Sequence, residues 1–144
     1  MADQETMQGK LTTAKGEFTY SYYLFHNSTY NFDTYAFNIW DENDQEEKHK
    51  ADFSLLIMND DVHLKVIDLF MHDYQGKGIA RAIILKAKEI FNKRIVSSSN
   101  VNKTFTGESN WPEAIKRVWK PLAEEGLAVY DEINGYYILV DDLL

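Results

Sequence analysis

The alternation of hydrophobic and polar residues in the first half of the chain predicts a series of strands. Aromatic and aliphatic side chains recur there at about every second position, which is the spacing of a half-buried strand. These segments cover residues 17–25, 30–40, 51–58 and 62–71. The turn residues Asn59-Asp60-Asp61 join the last two segments. We therefore expect four antiparallel strands in succession.

The pattern becomes helical after the fourth predicted strand. Apolar side chains over residues 77–92 fall on one broad stripe of a helix, so this segment predicts the longest helix of the chain. Residues 95–100 form a short β-type run, and residues 101–109 have the composition of a loop. The first helix is thus expected between two strands.

A second helix and a closing hairpin are expected in the last part of the chain. Asn110 is a residue type that caps helices, and Pro112 fits the first helical turn. Gly126 marks the expected end of this helix, after about Glu125. Residues 127–131 and 135–140 then predict the two strands of a hairpin.

The size and composition of the chain fit one globular domain. Its 144 residues and 44% hydrophobic content are sufficient for a core. Residues 1–15 are predicted to be a polar N-terminal tail, and residues 16–144 a single α+β domain. Charged residues such as Asp68 and Lys86 interrupt the richest apolar runs, so no membrane partner is expected.

The charge and the absence of cysteine narrow the classes of function. A formal net charge of −8 argues against a nucleic-acid-binding surface, which needs clustered cations, and favours a cationic acceptor such as an amine. Without cysteine the chain has no disulfides and no thiol nucleophile, and a cytoplasmic location is favoured. The four histidines lack the spacing of metal ligands, so no metal site is expected.

The segment that opens the first helix has the composition of a phosphate-binding turn. It reads Gln75-Gly76-Lys77-Gly78-Ile79-Ala80, followed by Arg81. Backbone N–H groups at the start of a helix lack intrahelical partners, and the helix dipole adds positive potential there. Gly76 and Gly78 allow close approach to the backbone, while Lys77 and Arg81 add cations. The spacing fits neither the dinucleotide-binding pattern nor the Walker loop.

The same segment resembles the acetyl-CoA-binding motif of the GNAT superfamily of N-acetyltransferases, Gln/Arg-x-x-Gly-x-Gly/Ala. Gln75, Gly78 and Ala80 occupy its three defining positions. The resemblance is strong from about Ile67 to Phe91 and weaker towards the C-terminus. It implies that acetyl-CoA is the acyl donor.

The resemblance also implies which residues hold the donor. The backbone of Phe70 and Met71 is expected to pair with the pantetheine amides, and the N–H groups of Gly76, Gly78, Ile79 and Ala80 are expected to hold the pyrophosphate. Leu69, Gln75, Lys77 and Arg81 complete the expected cofactor-binding residues. Asn110 matches, one residue out of register, an asparagine that often contacts the cofactor arm in the family. Its alternative interpretation is a helix cap.

The fold implied by the resemblance is a GNAT-like α+β fold with two main helices. Its sheet is mixed and mostly antiparallel, and it is splayed open between the fourth and fifth predicted strands. One departure is that His26-Asn27-Ser28-Thr29 stands where the family has its first helix pair. The acceptor site is then open, or is completed by another subunit or by a protein substrate.

Candidates for acid–base chemistry are few. The family often has a tyrosine on its last helix that protonates the leaving thiolate, and Val118, Trp119 and Leu122 stand near that position instead. Asp68 is the candidate general base, because apolar neighbours raise the pKa of a carboxyl. Asp68 facing solvent or pairing with a lysine is the alternative interpretation. The sheet's splay forms a slot that the second helix, around Trp111–Glu125, is expected to close, and Glu108, on the other side of this slot, is the second catalytic candidate.

Together these features predict an N-acetyltransferase that moves an acetyl or short acyl group to an amine by direct attack. The acceptor is a small-molecule amine or a protein amine, and an exposed strand edge would favour a homodimer. Two alternatives are a weak or inactive acyl-CoA-binding module and an acidic protein-interaction domain that has lost the ligand. The segment over residues 75–80 argues against the last alternative.

Overall fold

The protein is represented by a computed structural model that describes residues 6–43, 50–71 and 78–140. These residues form an α+β fold around one mixed sheet of eight strands. The strands are β1 (Met7–Thr13), β2 (Gly16–Asn27), β3 (Phe32–Trp40), β4 (Ala51–Ile57), β5 (His63–Phe70), β6 (Arg94–Val96), β7 (Ala128–Asp131) and β8 (Tyr136–Leu139). Their order is β1-β2-β3-β4-β5-β6-β8-β7, and among the described strands β5 and β6 are the one parallel pair.

Two helices accompany the sheet. The first, α1 (Ile79–Phe91), lies within the range predicted for the longest helix and ends at Asn92, whose N–H donates to the Lys88 carbonyl. The second spans residues 112–124 in three parts: α2 (Pro112–Ala114), a π-helical turn (Ile115–Trp119) and α3 (Lys120–Glu124). No helix in the described ranges is both long and apolar enough to cross a membrane.

The prediction of a polar tail over residues 1–15 is wrong for β1. This strand pairs with β2 along its whole length, from Met7 opposite Tyr22 to Thr13 opposite Gly16. It is an edge strand on which only Leu11 is buried, so its sequence carries too little hydrophobic alternation to predict a strand. Five antiparallel strands therefore precede α1, and the fourth and fifth predicted strands correspond to β5 and β6.

One face of the sheet packs against α1. Ile79, Ile83, Ile84 and Ala87 of the helix are all buried. They share one cluster with core residues of five strands: Leu11, Phe18, Tyr20, Phe37, Ile39, Ala51, Phe53, Leu55, Leu64 and Val66. Burial of this apolar surface is the main contribution that holds helix and sheet together.

A β-bulge in β5 lies next to the point where this strand loses its parallel neighbour. Ser54 is opposite Asp68 and Leu55 is opposite Val66, which makes Ile67 the extra residue on β5. An inserted residue shifts the alternation of side chains by one and increases the local twist. As a result Val66 and Leu69 both contact the core under α1, although they are three positions apart.

The second helix ends where predicted, but its N-cap residue is not the predicted one. Asn110 does not cap it: Trp111 is the N-cap residue, and no side-chain hydrogen bond caps this end. Pro112 occupies the first turn, as predicted. In the π-helical turn the Lys120 N–H donates to the Ile115 carbonyl, five residues back. Pro121 follows directly and has no N–H, and the wider turn makes room for its ring.

A buried ion pair fixes the loop between β6 and the second helix. Lys65 Nζ lies 3.0 Å from Glu108 Oε2, and the two side chains are 1% and 0% exposed. Glu108 also accepts hydrogen bonds from the N–H groups of Ser99 and Thr104, and Lys65 Nζ donates to Thr104 Oγ1 at 2.8 Å. The pair therefore ties residues 99–108 to the middle of the sheet.

We expect Glu108→Gln to reduce the free energy of unfolding by about 3–5 kcal/mol, because it leaves the buried Lys65 ammonium without its counter-charge. Urea unfolding of the variant and the wild type measures this difference. Glu113→Gln is the matched control, since Glu113 forms an exposed ion pair with Arg117 and its loss should cost about 1 kcal/mol or less. Equal small losses in the two variants would contradict a structural role for the buried pair.

Candidate functional site

The two parallel strands β5 and β6 separate after three residue pairs. His63, Leu64 and Lys65 pair with Arg94, Ile95 and Val96, and β6 then ends while β5 continues to Phe70. Beyond Val96 the chain follows β8, since the Ser97 N–H donates to the Tyr137 carbonyl at 2.9 Å and the Tyr137 N–H donates to Ser97 Oγ. Among the described strands, none pairs with β5 beyond Lys65 on its β6 side.

A cleft of about 570 Å³ opens where the strands part, and we call it the β5–β6 cleft. One wall is formed by β5 and its end: Val66, Ile67, Leu69, Phe70 and Met71. The opposite wall is formed by the second helix: Trp111, Glu113, Ala114, Arg117, Val118 and Trp119. Ser98, Ser109 and Asn110 lie between these walls. The volume is in the range of small-molecule sites, and the walls are mainly apolar, as such sites usually are.

Ser98 fixes the point at which the cleft begins. Its hydroxyl is buried and donates to the Val66 carbonyl at 2.6 Å. Asn110 is also buried, and its side-chain amide donates to Ser97 Oγ at 3.2 Å while its N–H donates to Asn100 Oδ1. The predicted binding residue Asn110 therefore does line the cleft, held there by the serine run.

The first turn of α1 forms one end of the cleft. Gly78, Ile79, Ala80 and Arg81 all line it. Gly78 is the N-cap residue and has φ of 79°, a left-handed conformation that glycine adopts without strain. The first turn contains no acidic residue, so its N–H groups and dipole present a positive end. The predicted binding residues Gln75, Gly76 and Lys77 lie outside the described residues.

Both arginines that line the cleft are paired with carboxylates. Arg81 forms a bidentate pair with Glu125, in which Nη2 donates to Oε1 at 2.8 Å and Nη1 donates to Oε2. Arg117 Nε lies 2.8 Å from Glu113 Oε2, one turn away on the same helix. The cleft therefore contains positive groups whose charge is balanced in the described structure.

The two predicted catalytic carboxylates do not line the cleft. Glu108 is enclosed in the ion pair with Lys65, which gives it a structural role. Asp68 lies on β5 one residue before the cleft-lining Leu69 and is half-buried. Burial raises the pKa of the Asp68 carboxyl above its usual value of 3.8, a hydrogen bond with Ser54 opposes this shift, and the Asp52 charge adds to it. The raised pKa expected from the apolar neighbours is thus present, and the partner of Asp68 is a serine instead of a lysine.

Two cleft residues, Glu113 and Arg117, were not identified from the sequence. They stand on the same face of the second helix as Ala114 and Val118, at the spacing of three and four residues that brings helical side chains together. This spacing could have indicated them once the helix was placed beside the cleft. The resemblance implies that this helix closes the slot, and which of its faces lines the cleft was the missing information.

No group of three or more potential metal ligands occurs in the part of the chain that the structure describes. Comparison with protein-family models, with curated proteins and with solved structures finds no match to this chain. The chemistry of the site must therefore be inferred from its own geometry.

The raised pKa of Asp68 predicts how stability depends on pH. The folded protein holds the Asp68 proton more tightly than the unfolded chain, so this residue lowers stability progressively as pH rises from 3.8 through its raised pKa. In Asp68→Asn this loss is absent. We expect the stability of the variant relative to wild type to increase between about pH 3 and pH 7 in urea unfolding.

Asp60 supplies a control of opposite sign. Burial acts to raise the pKa of Asp60, but hydrogen bonds from Val62 and His63 outweigh it and lower the pKa below 3.8. Asp60→Asn should therefore lose stability relative to wild type as pH rises through the Asp60 pKa towards 3.8. A constant difference between Asp68→Asn and wild type at all pH values would contradict the assignment for Asp68.

Proposed function

We propose that this chain is an N-acetyltransferase of the GNAT type that binds acetyl-CoA in the β5–β6 cleft and acetylates an amine. The observation that carries the proposal is the separation of two parallel strands beside the N-terminus of α1, whose N-cap residue is Gly78. This arrangement puts the edge of β5 and a positive helix end on one cleft. A long ligand with amide groups at one end and phosphates at the other would match both.

The order of the elements supports this proposal. The described residues run as strands, helix, strand, helix and two strands, which is the order that the resemblance implies around the cofactor site. The splayed sheet that it implies has its counterpart in the short pairing of β5 with β6. Only Asn27 to Phe32 connects β2 with β3, in agreement with the expected lack of the first helix pair.

The cleft residues have the chemistry that an acyl-CoA requires. The N–H groups of Gly78, Ile79 and Ala80 would hold the pyrophosphate at the start of α1, where anions are favoured. The edge of β5 from Leu69 to Met71 would bind the amides of the pantetheine arm, as an added strand does. The apolar wall at Val118 and Trp119 would exclude water from the acyl end.

The transfer itself requires proton removal from the acceptor. The bound acyl donor supplies a thioester carbonyl, and the amine must lose a proton before its nitrogen attacks that carbon. We assign this proton to Asp68, through water, since its raised pKa suits a general base and it adjoins the cleft-lining Leu69 on β5. Direct attack is consistent with a chain that contains no cysteine, and the thiol proton would then come from solvent.

A second candidate function is an acyl-CoA-binding module with little turnover. Among the described lining residues there is no tyrosine, and Glu113 is the one carboxylate and is paired with Arg117. A site without an acid or base in contact with the ligand would bind the donor without transferring the acyl group efficiently. Binding and turnover must therefore be measured separately.

We expect the protein to release free thiol from acetyl-CoA when a suitable amine is present. A panel of small amines and lysine-containing peptides, assayed for thiol beside calorimetric titration with CoA, tests both steps. Asp68→Asn should slow the release without weakening CoA binding, because Asp68 acts on the acceptor. Tight CoA binding with no turnover for any amine would favour the binding module, and no binding at all would reject the proposal.

Gly78→Ala should weaken CoA binding about tenfold or more, because a methyl group would stand beside the N–H groups that hold the pyrophosphate. Gly126→Ala is the matched control, as Gly126 has the same φ of 79° and open space around it. Both variants should lose about 1 kcal/mol of stability, since a side chain is strained at this φ. Equal CoA affinity in the two variants would count against a site at Gly78.

A further inference from the structure

The bidentate pair between Arg81 and Glu125 joins the first turn of α1, at one end of the β5–β6 cleft, to the end of the second helix. Arg81 is the third residue of α1 and lines the cleft, and Glu125 is the C-cap residue of α3, at the end of the second helix. The two residues are 44 positions apart in the chain and are each partly exposed. We call this pair the Arg81–Glu125 clasp.

Each member of the clasp stands at the helix end that disfavours its charge. A cation in the first turn of α1 opposes the positive end of that helix dipole, and an anion at the end of α3 opposes the negative end of the other. Their mutual contact offsets both effects. The hydrogen bond from Arg81 lowers the pKa of the Glu125 carboxyl, burial opposes this shift, and the Arg81 charge adds to it. The clasp is thus the reason that both charges are tolerated there.

The guanidinium fork that holds Glu125 is the one that would bind a phosphate. Arginine binds carboxylates and phosphates through the same pair of parallel N–H donors. In the described structure the carboxylate of Glu125 occupies those donors, next to the anion-favouring start of α1. A phosphate that binds Arg81 through this same pair of donors must therefore displace Glu125.

We propose that the phosphates of the ligand bind these two terminal donors of Arg81, so that they compete with Glu125 and the clasp opens when the ligand binds. This inference rests on the proposed function for the identity of the ligand as an acyl-CoA. Glu125 lowers the affinity for any anion at the start of α1, and it restricts the site to ligands whose phosphates bind strongly enough to replace a carboxylate.

The other cleft arginine provides a useful contrast. The Arg117–Glu113 pair lies within one helix, at a spacing of four residues, and both side chains are about two-thirds exposed. Opening of that pair would change neither the contact between α1 and the second helix nor the charge at the start of α1. The competition is therefore assigned to Glu125 and not to Glu113.

Calorimetric titration with CoA and with inorganic pyrophosphate tests the clasp. Glu125→Gln should bind both about two- to fivefold more tightly than wild type, which is the range expected when one partly exposed ion pair no longer competes. Glu89→Gln is the charge-matched control: Glu89 pairs with Lys86 on α1 and does not line the cleft. It should bind like wild type.

A double variant makes the test specific for Arg81. In an Arg81→Ala background, Glu125→Gln should give no gain in affinity, since the group for which it competes is gone. The gain should also shrink at high salt, where a partly exposed pair is screened.

The outcomes separate the clasp from the proposed function. If wild type binds CoA and Glu125→Gln binds it no more tightly, the proposed competition for Arg81 is overturned and the acyl-CoA site stands. If Glu125→Gln binds pyrophosphate more tightly than wild type but no form of the protein binds CoA, the competition for Arg81 stands and the acyl-CoA proposal is rejected. Failure of every form to bind either ligand would overturn both.

Discussion

The ion pair between Lys65 and Glu108 is the contact on which the candidate site depends. Lys65 is the last residue of β5 that pairs with β6, and Glu108 belongs to the loop that leaves β6 and leads to the second helix. Two buried charges are stable only together, and here they are satisfied by each other, by backbone N–H groups and by Thr104. The loop is held at the fork of the two strands, and the helix that follows it becomes the second wall of the cleft.

The charges around the cleft are also paired, but these ion pairs are partly exposed and therefore weaker. Arg81 and Arg117 line it, yet each is matched with a carboxylate, so the region carries balanced charge within a chain whose formal net charge is −8. Such partly exposed pairs contribute little to stability and exchange partners readily. The buried Lys65–Glu108 pair therefore holds the cleft in place, while the partly exposed arginine pairs at its edge can exchange partners. This arrangement suits a ligand that brings its own negative charges.

Much of the fold could be predicted because its elements carry strong local patterns. Strands β2 to β5, helix α1 and the closing hairpin follow from alternation, helical periodicity and turn residues. Strand β1 could not be predicted, because an edge strand with one buried residue lacks that alternation. The bulge at Ile67 and the π-helical turn before Pro121 also escaped, since both insert one residue without changing the composition of their segments.

The sequence by itself determined which residue types stand at the start of α1 and along β5, because a small residue, a cation or an apolar run can be identified without knowing its neighbours. Tertiary structure alone decided which distant groups meet. Glu108 is held as the counter-ion of a buried lysine, Asp68 lies beside the cleft instead of in its lining, and Glu125 contacts Arg81 across 44 residues. The physical reason is that charge–charge contacts depend on distance in space and on burial, and chain packing sets both.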